Sequence, residues 1–586
     1  MRQEISREEK GQGSSSSTLL QRLNEVQARS KERYVSKEVL KEIADELEVS
    51  TAFARGVATF YSMLSKRPRG RHIVRVCESP PCRLAGGMDL VVSLQSLLGI
   101  SAGETTADGM FTLEFSSCLG ACDKAPALLL DDALYTQVAP EDLPRILDEA
   151  RKLNWIGPKR TLSAVLGKPR YLLRGVGEVD VLEDAVARSA YQGLKRALTT
   201  MTPEEVTSCV KDSGLRGRGG AGFPTGRKWE FSRATSGEQK YLVCNADEGE
   251  PGTFKDRLLL EWTPHRVIEG MLIAGYAIQA VKGFLYIRGE YAAGIDTIEK
   301  ALEQARHAGY LGKKIFGSSF SFDIEVVRGA GAYVCGEETS LIESLEGKRG
   351  FPRLRPPYPA AVGCWGKPTV INNVETLANV PEIVRDGVKA YRRLGTDASP
   401  GTKLYPLSGA VARAGVVEAE MGVTLRTLID EHGGGMPEGR RFLAALVGGA
   451  AGVFFGEDML NVPLEYDSLA AQGAVLGSGA VFVLDTDCNV SSLIRDILRF
   501  FAHESCGQCV PCRVGTTRLE ELMETVARKK RPDREIDVML ETARWMQETS
   551  LCPLGQSCYP LLKSAVKVFQ GGFFNSTSQK ERGNRE

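Results

Sequence analysis

Apolar side chains recur every three or four residues near the start of the chain. Within residues 35–47 they form one helical stripe made of Val39, Leu40, Ile43 and Leu47. Ser36 stands just before this stripe, where its hydroxyl can accept a hydrogen bond from the first helical turn. Helical spacing extends over residues 18–66, which predicts helices there. Residues 1–17 are polar and serine-rich and are predicted to be a disordered tail.

A small α/β domain is predicted over residues 67–155. Short apolar runs typical of strands alternate there with helical spacing. The predicted elements are strands at Arg71–Cys77, Phe111–Phe115 and Ala127–Leu130, and a closing helix at Glu141–Lys152. Residues 156–175 follow without such a pattern and are interpreted as a linker.

A larger α/β unit is predicted over residues 176–398. Its pattern gives strands at Tyr241–Asn245 and Gly283–Ile287 with an apolar helix at Val267–Val281 between them. Short apolar runs broken by glycine then predict a β-rich module. Helical spacing dominates the last part of the chain. The expected boundaries are 399–487 for the β-rich module, 488–575 for the helical part and 576–586 for a polar tail.

Composition narrows the class of protein. The 586 residues include 74 basic and 74 acidic side chains, so the zero net charge disfavours a nucleic-acid or anionic-membrane partner. Apolar runs such as Met271–Val281 are about half as long as a bilayer span, and the N-terminus lacks the apolar core of a signal peptide. We therefore expect a cytoplasmic protein whose cysteines stay reduced and serve metal or redox chemistry.

Eight of the 14 cysteines lie in two groups far apart in the chain. The first group has two pairs, Cys77-x4-Cys82 and Cys118-x3-Cys122. The pairs occupy two loops, and glycines near them permit tight turns around a metal. Four thiolates suit a [2Fe–2S] or [4Fe–4S] cluster. Zinc or unrelated buried thiols remain alternatives on spacing alone.

The second group is more specific. Cys506-x2-Cys509-x2-Cys512 places three thiolates on one loop, an arrangement common for a cubane cluster whose fourth ligand comes from elsewhere in the chain. Cys552 and Cys558 both lie downstream and are both candidates for that ligand. A C-x-x-C redox dithiol is the alternative, but a dithiol has no use for a third cysteine.

A glycine-rich loop over Gly214–Gly226 lies between the two cysteine groups. It matches neither a P-loop nor a clean dinucleotide-binding fingerprint. Its bare backbone N–H groups can still face a phosphate, with Arg218 and Lys228 supplying charge. A purely structural loop is the alternative.

Two acidic segments strengthen the nucleotide interpretation. Asn245–Gly252 holds three carboxylates and an amide, and Gly336–Thr339 holds two carboxylates. Carboxylates beside a phosphate loop make electrostatic sense when they accept hydrogen bonds from ribose hydroxyls or a flavin ring. Two solvated acidic turns are the alternative.

Several long motifs resemble the flavin- and NADH-binding subunit of respiratory complex I, the 51-kDa type. They are Gly214–Glu230, Cys244–Arg257, Gly331–Lys348, Gly366–Val380 and Glu504–Thr516. Val35–Lys152 resembles the neighbouring 24-kDa-type subunit, a thioredoxin-like [2Fe–2S] ferredoxin behind a helical bundle. The chain therefore resembles a fusion of the two subunits.

The resemblance implies a multidomain α/β fold. Residues 18–66 would be the helical bundle, 67–155 the thioredoxin-like ferredoxin and 176–398 the α/β FMN-binding domain. Residues 399–487 would be a ubiquitin-like β-grasp (SLBB-like) module and 488–575 a C-terminal helical bundle holding a [4Fe–4S] cluster. Cys77, Cys82, Cys118 and Cys122 would bind the [2Fe–2S] cluster. The resemblance selects Cys552 over Cys558 as the fourth ligand beside Cys506, Cys509 and Cys512.

The resemblance also implies contacts to FMN and NADH. FMN would be held by Gly217, Arg218, Gly219, Lys228, Asn245, Asp247, Glu248, Gly336, Glu337, Glu338, Ile371, Asn372, Asn373 and Thr376. NADH would stack on Phe223, with Phe231, Glu250 and Glu338 nearby. Arg355 and Tyr358 stand at the NADH site where the family commonly has lysine and phenylalanine, and arginine is not a neutral replacement for lysine. The Glu250 carboxylate, as acceptor for an adenosine ribose hydroxyl, favours NAD over NADP.

The implied function is that of an NADH:acceptor oxidoreductase, or diaphorase, subunit. Hydride would pass between NAD(H) and FMN, and single electrons would pass through both clusters to or from redox partner subunits of a larger complex. Hydride transfer needs no protein acid or base, so no catalytic residue is expected, and Glu338 would lie near the nicotinamide site. NAD-linked hydrogenases, formate dehydrogenases, bifurcating enzymes and benzoyl-CoA-reductase-type complexes are possible parents. A non-catalytic zinc or iron–sulfur scaffold is the alternative.

Overall fold

The computed structural model describes residues 18–168, 171–178, 181–237, 239–528 and 533–569. Both predicted tails, 1–17 and 576–586, lie outside the described residues. The chain folds in the order helices, α/β, β and helices that the periodicity predicts.

Three helices begin the described chain and share one apolar core with the central part of the protein. They are α1 (Leu19–Arg29), α2 (Lys37–Glu46) and α3 (Thr51–Ala58). Ser36 caps α2 as predicted, because its hydroxyl accepts a hydrogen bond from the Val39 N–H at 3.2 Å. Their buried side chains, such as Leu20 and Val57, belong to the same cluster as Tyr286 and Ile371.

The next region is a four-stranded sheet with helices on it. The elements are β1 (His72–Cys77), α4 (Pro80–Leu84), α5 (Gly87–Leu98), β2 (Phe111–Ser116), β3 (Ala127–Leu130), β4 (Ala133–Thr136) and α6 (Leu143–Arg151). The strand order is β2-β1-β3-β4, with parallel β1 and β2 beside the hairpin of β3 and β4. The short strand β4 was not predicted; the turn before it places Asp131 at φ 56°.

The central unit is built on an all-parallel sheet in the order β8-β7-β6-β9. Its strands are β6 (Tyr241–Ala246), β7 (Lys282–Ile287), β8 (Ile324–Arg328) and β9 (Thr369–Asn373). The carboxyl ends of β6 and β9 lie side by side, the edge where open α/β sheets bind ligands. Its helices are α7 (Leu182–Ala187), α8 (Gln192–Thr200), α9 (Pro203–Asp212), α10 (Thr225–Ala234), α11 (Lys255–Trp262), α12 (Pro264–Ile278), α13 (Ala292–His307), α14 (Glu338–Leu345), α15 (Val374–Asp386) and α16 (Val388–Tyr391).

A mixed β-sheet follows, as the glycine-broken apolar runs predict. Its order is β13-β12-β14-β10-β11-β5, where β5 is Val165–Leu166. The other elements are β10 (Thr402–Gly409), β11 (Gly415–Glu420), α17 (Leu425–Thr427), β12 (Phe442–Val447), β13 (Val453–Phe455), α18 (Tyr466–Ala471) and β14 (Val481–Asp485).

The segment interpreted as a linker is part of this sheet and not a free spacer. Strand β5 pairs in parallel with β11, with Val165 opposite Val416. The buried Glu418 carboxylate then accepts hydrogen bonds from the N–H groups of Tyr171, Leu172 and Leu173 at 3.1–3.2 Å. The connection between the two α/β regions is therefore fixed to the β-rich module.

Helices complete the chain around a second apolar core. They are α19 (Val490–Glu504), α20 (Val510–Arg528), α21 (Asp533–Thr549), α22 (Pro553–Gln556) and α23 (Cys558–Phe569). Leu493, Ile497, Leu519 and Met546 are among the side chains buried between them. Over the residues that the structure describes, no helix has the length and apolarity required to cross a bilayer.

Replacing Glu418 by Gln tests the fixed linker. The amide nitrogen would face N–H donors in place of an accepting oxygen, and we expect a loss of about 2–4 kcal/mol of local stability. Trypsin should then cleave within residues 167–178 faster than in the wild type, as measured by mass spectrometry. Glu438→Gln, at an exposed position of the same module, should cleave at the wild-type rate, and equal rates for all three proteins would contradict the assignment.

Candidate functional site

The first cysteine group converges at one end of its sheet. Cys77 ends β1, Cys82 lies in α4, and Cys118 and Cys122 lie between β2 and β3. All four thiols are buried, and the sulfurs of Cys118 and Cys122 are 3.4 Å apart. Because β1 and β2 run in parallel, their carboxyl ends deliver the two cysteine pairs to the same place.

This first group also docks against the rest of the protein. The N–H of Gly252, in the acidic segment after β6, donates to Cys122 Sγ at 3.3 Å. Arg257 Nε donates to Gly120 O at 2.8 Å. On the other side, the Ser117 hydroxyl contacts the carboxylate of Glu504 at the end of α19. The loop of the first cysteine group is thus held by the central α/β unit and by the C-terminal helices.

The second cysteine group surrounds a cavity with about 260 Å³ of free space, part of it open to solvent. The cysteines that line it are Cys506, Cys509, Cys512 and Cys552. Cys558 is fully buried in α23 and is not among the lining residues. Burial raises the pKa of Cys552 to about 12 and that of Cys512 to about 11, so a bound metal would have to displace their protons.

The donor sets of both groups fit iron–sulfur clusters. Each consists of thiols alone, the ligands that clusters take, and Gly120 donates its N–H to Cys118 Sγ at 3.4 Å in the first group. Across the described residues, no set of three or more His, Cys, Asp or Glu side chains is gathered closely enough to hold a single metal ion.

The glycine-rich loop connects α9 to α10 beside the carboxyl ends of β6 and β9. The N–H of Arg218 donates to Thr376 Oγ1 at 2.8 Å. A Cβ on Gly219 would approach Asn373 to 3.0 Å, whereas one on Gly220 would meet no atom within 4 Å. The loop backbone is therefore packed against protein at Gly219 and open to solvent space at Gly220, as a loop that binds a ligand requires.

The Arg218 side chain, expected to supply charge at this loop, lies in the protein interior. Its guanidinium is fully buried and donates to Pro400 O at 2.9 Å and Tyr391 Oη at 3.3 Å. It therefore braces the loop against the following domain. The Lys228 ammonium contacts the Glu338 carboxylate and donates to Ile371 O at 3.0 Å.

The remaining segments of the predicted flavin site also meet. Asn245 Nδ2 donates to Gly336 O at 2.8 Å, and Asn245 Oδ1 accepts from the Asp247 N–H at 3.1 Å. Trp229 Nε1 donates to Asn372 Oδ1 at 2.9 Å. The structure thus brings together the glycine loop, the acidic segment, the 336–338 segment and the end of β9.

Two carboxylates expected at the FMN site cap the starts of helices. Glu248 accepts from the N–H groups of Lys255, Asp256 and Arg257 at the start of α11, at 2.9–3.1 Å. Glu337 accepts from two N–H groups at the start of α14. Both carboxylates therefore fix segments of the site, because orphan N–H groups at helix starts attract carboxylates, and their contact with FMN stays a prediction. Burial raises the pKa of Asp247 well above its usual range.

The predicted NADH side has an aromatic entrance. Phe223 and Phe231 are 43% and 50% exposed, and their ring centroids are 6.5 Å apart. Tyr358 is also exposed. Arg355 lies 3.4 Å from the Glu337 carboxylate, so its charge lies at the same site.

The Glu250 carboxylate, predicted to accept from a ribose hydroxyl, already has two donors within the protein. It accepts from the Tyr333 hydroxyl and from the Ala451 N–H at 2.8 Å. Burial raises its pKa to about 7. Sequence reasoning missed Tyr333, which also donates its N–H to Glu504 at 3.0 Å; an aromatic residue three positions before Gly336 was the available signal.

The groups brought together at the predicted flavin site fit a flavin phosphate and ring. Bare glycine backbone, an ammonium group and side-chain amides lie together at the ligand-binding edge of the sheet, and a cysteine site lies on each side. Val334, two residues before Gly336, lines the second cysteine cavity, and Gly252 contacts the first cysteine group.

Four family profiles match separate parts of the chain. A profile of the Nuo51 FMN-binding domain matches residues 210–382, and one of the thioredoxin-like [2Fe-2S] ferredoxin matches residues 2–151. Profiles of the NADH-ubiquinone oxidoreductase-F iron-sulfur binding region and of the SLBB domain match residues 492–575 and 405–455.

Individual proteins match over long stretches. An F-type NADH-quinone oxidoreductase subunit of Rhizobium meliloti is 46% identical over 404 residues, which are 69% of this chain and 96% of that protein. The chain belongs to the family of F-type NADH-quinone oxidoreductase subunits. The NADP-reducing hydrogenase subunit HndC of Solidesulfovibrio fructosivorans is 46% identical over 402 residues, 68% of this chain and 82% of that one.

A solved structure shares the architecture of the present chain over nearly its whole length. A chain of the NAD+-reducing [NiFe]-hydrogenase in the H2-reduced state superposes with a TM-score of 0.84 at 32% identity, covering 96% of this chain and 93% of that chain. The resemblance, fold class and cofactors expected from the sequence are thereby confirmed. The chain is an NADH-oxidoreductase electron-transfer subunit with FMN, NAD(H), a [2Fe–2S] and a [4Fe–4S] cluster.

Two serine substitutions test which cysteine completes the second group. Cys552→Ser removes a thiol that lines the cavity, and we expect loss of the [4Fe–4S] electron paramagnetic resonance (EPR) signal and of the corresponding iron. Cys558→Ser, at a fully buried cysteine outside the cavity lining, should keep both. Loss of the [4Fe–4S] signal in Cys558→Ser but not in Cys552→Ser would reverse the assignment.

Proposed function

We propose that this chain is the NADH-oxidising entry module of a hydrogenase-type redox complex, with the flavin site between its two clusters. One observation carries the proposal: the segments at the flavin site contact both cysteine groups, through Gly252 on one side and Val334 on the other. Electrons that enter at this site therefore have a cluster site next to them on each side.

The chain's own side chains have distinct tasks in this proposal. The backbone of Gly217–Gly220 and the Lys228 ammonium bind the flavin phosphate and ring oxygens, while Asn245, Asn372 and Asn373 orient the flavin. Glu248, Glu337 and Arg218 hold the segments that do so. When bound, FMN accepts two electrons as a hydride and returns them singly.

The entrance residues bind the nicotinamide nucleotide. Phe223 and Phe231 offer apolar faces for its rings, and Arg355 adds a positive charge next to Glu337. Glu338 lies at the inner end, against Lys228. These groups exclude water and orient the nucleotide, and none is required to move a proton during hydride transfer.

The second cysteine group is the exit toward a partner. Cys506 and Cys509 are only half-buried, and Val510 and Val514 on the adjoining turn of α20 are 59% and 57% exposed. An apolar exposed strip beside a cluster suits docking of another redox protein. The first group, enclosed between two regions, is proposed to store or branch electrons.

The hydrogenase-type parent is supported by chain organisation. The hydrogenase chain superposes on 96% of this one and therefore on most of the N-terminal ferredoxin part, whereas the F-type NADH-quinone oxidoreductase subunit of Rhizobium meliloti aligns in sequence with 69% of this chain. None of the 14 cysteines, all of which the structure describes, is in a disulfide, which supports a cytoplasmic location. Identification of the co-purifying subunits tests the parent, and a colourless zinc protein without flavin would overturn the diaphorase function.

Cys509→Ser tests the proposed exit. Loss of the [4Fe–4S] cluster should abolish electron transfer to the natural partner, while NADH still bleaches the FMN absorbance. Cys209→Ser, at a half-buried cysteine outside both groups, should behave as the wild type in stopped-flow measurements. Normal partner reduction by Cys509→Ser would contradict this exit.

Phe223→Ala tests the entrance. Loss of one stacking face should raise the KM for NADH about three- to tenfold with unchanged FMN content. Phe53→Ala removes a comparably exposed ring, 41% accessible, from α3 and serves as the matched control in steady-state assays with an artificial acceptor. An unchanged KM in Phe223→Ala would place the nucleotide elsewhere.

A further inference from the structure

The N-terminal helices pack directly behind the segment proposed to bind flavin. Their buried side chains share one core with Val334, Cys335, Leu341 and Ile342, which immediately flank residues 336–338. A fused ferredoxin would need only a tether to deliver electrons. This interface is far more extensive than a tether.

Backbone hydrogen bonds fix the start of the flavin-binding segment. The N–H groups of Ser62 and Met63 donate to Gly331 O and Ala330 O at 3.0 and 2.9 Å. Gly331 has φ 80°, and a Cβ there would lie 2.3 Å from Ser62 Oγ. Only glycine therefore permits this close approach.

Tyr61 fixes the other end of the same segment. Its side chain is 1% exposed, and its hydroxyl donates to Lys348 O at 2.7 Å. The same hydroxyl lies 2.7 Å from Ser344 Oγ, which also bonds to Tyr286 Oη at 2.8 Å. Ser344 lies on α14, the helix that Glu337 caps and Glu338 begins.

Both ends of the 331–348 segment are therefore held by residues 61–63, and the flavin contacts lie between the two ends. We propose that Tyr61 is a positioning residue for FMN and that the N-terminal helices act as a brace that keeps residues 336–338 in the binding conformation. This inference rests on the flavin site proposed above. By linkage, bound FMN in turn stabilises the docking of the helices.

Tyr61→Phe removes the hydroxyl and keeps the ring. One buried hydrogen bond is typically worth about fivefold in an equilibrium constant, so we expect the Kd for FMN to rise about three- to tenfold. Flavin fluorescence on reconstitution of the full chain measures this Kd. Hydrogen exchange of residues 333–346 should also become faster in the flavin-free variant.

Tyr276→Phe is the matched control, because the Tyr276 hydroxyl donates to Met201 O at 2.8 Å, outside the flavin-binding segments. It should keep the wild-type Kd even if its melting temperature falls. A Tyr61→Phe protein with lowered melting temperature but wild-type Kd would overturn the brace. Failure of the wild type to bind FMN would instead overturn the proposed function.

Arg349→Gln covers the case in which Tyr61→Phe does not fold. Arg349 Nε donates to Gly56 O at 3.0 Å at the edge of the same interface, so its loss should raise the Kd for FMN about two- to fivefold. An unchanged Kd in a folded Arg349→Gln protein would count against the brace.

Discussion

The capping of α11 by the buried Glu248 carboxylate organises the centre of this protein. One side chain accepts three backbone N–H groups and the Tyr291 hydroxyl, and so fixes the residues that follow. Asp256 then accepts from Asn373 at the flavin site, and Arg257 reaches Gly120 in the cysteine loop. Removing this acceptor would leave several buried donors without a partner, which is costly, so three regions depend on one carboxylate.

A second buried network joins the β-rich module to the glycine loop. Glu375 lies between the ammonium groups of Lys255 and Lys403, at 2.7 and 3.7 Å. Lys403 also donates to Arg218 O at 3.1 Å. Burial lowers the pKa of Lys403 to about 7, which marks how little water reaches this junction. The module therefore supports the flavin loop mechanically although it contributes no predicted ligand contact.

Local pattern was sufficient to predict five strands, β1, β2, β3, β6 and β7, and helices such as α2, α6 and α12. Cysteine spacing indicated the clusters, because thiolates on one short loop must point to one place. The resemblance supplied the residues at the flavin site, and the structure brings their segments together. The structure also shows that a motif does not tell which way a side chain points, because Arg218, Glu248 and Glu250 contact protein groups.

The interdomain contacts could not be predicted from the sequence. Arg257 with Gly120, Ser117 with Glu504 and β5 with β11 join residues more than a hundred positions apart. The missed strand β4 has a different cause, because four residues after a tight turn carry too little pattern to distinguish a strand from a loop.

The pairing of β5 determines where this chain could be divided into two polypeptides. A break after Leu166 would leave β5 on the ferredoxin fragment. In the flavin fragment the edge of β11 would then be unpaired and prone to aggregation. A break at Gly157, an exposed residue whose Cβ position has no neighbour within 4 Å, would leave β5 and the Glu418 contacts with the flavin half. Even then the halves would have to reassemble through the shared helical core, so a separated ferredoxin would be a subunit and not a diffusible carrier.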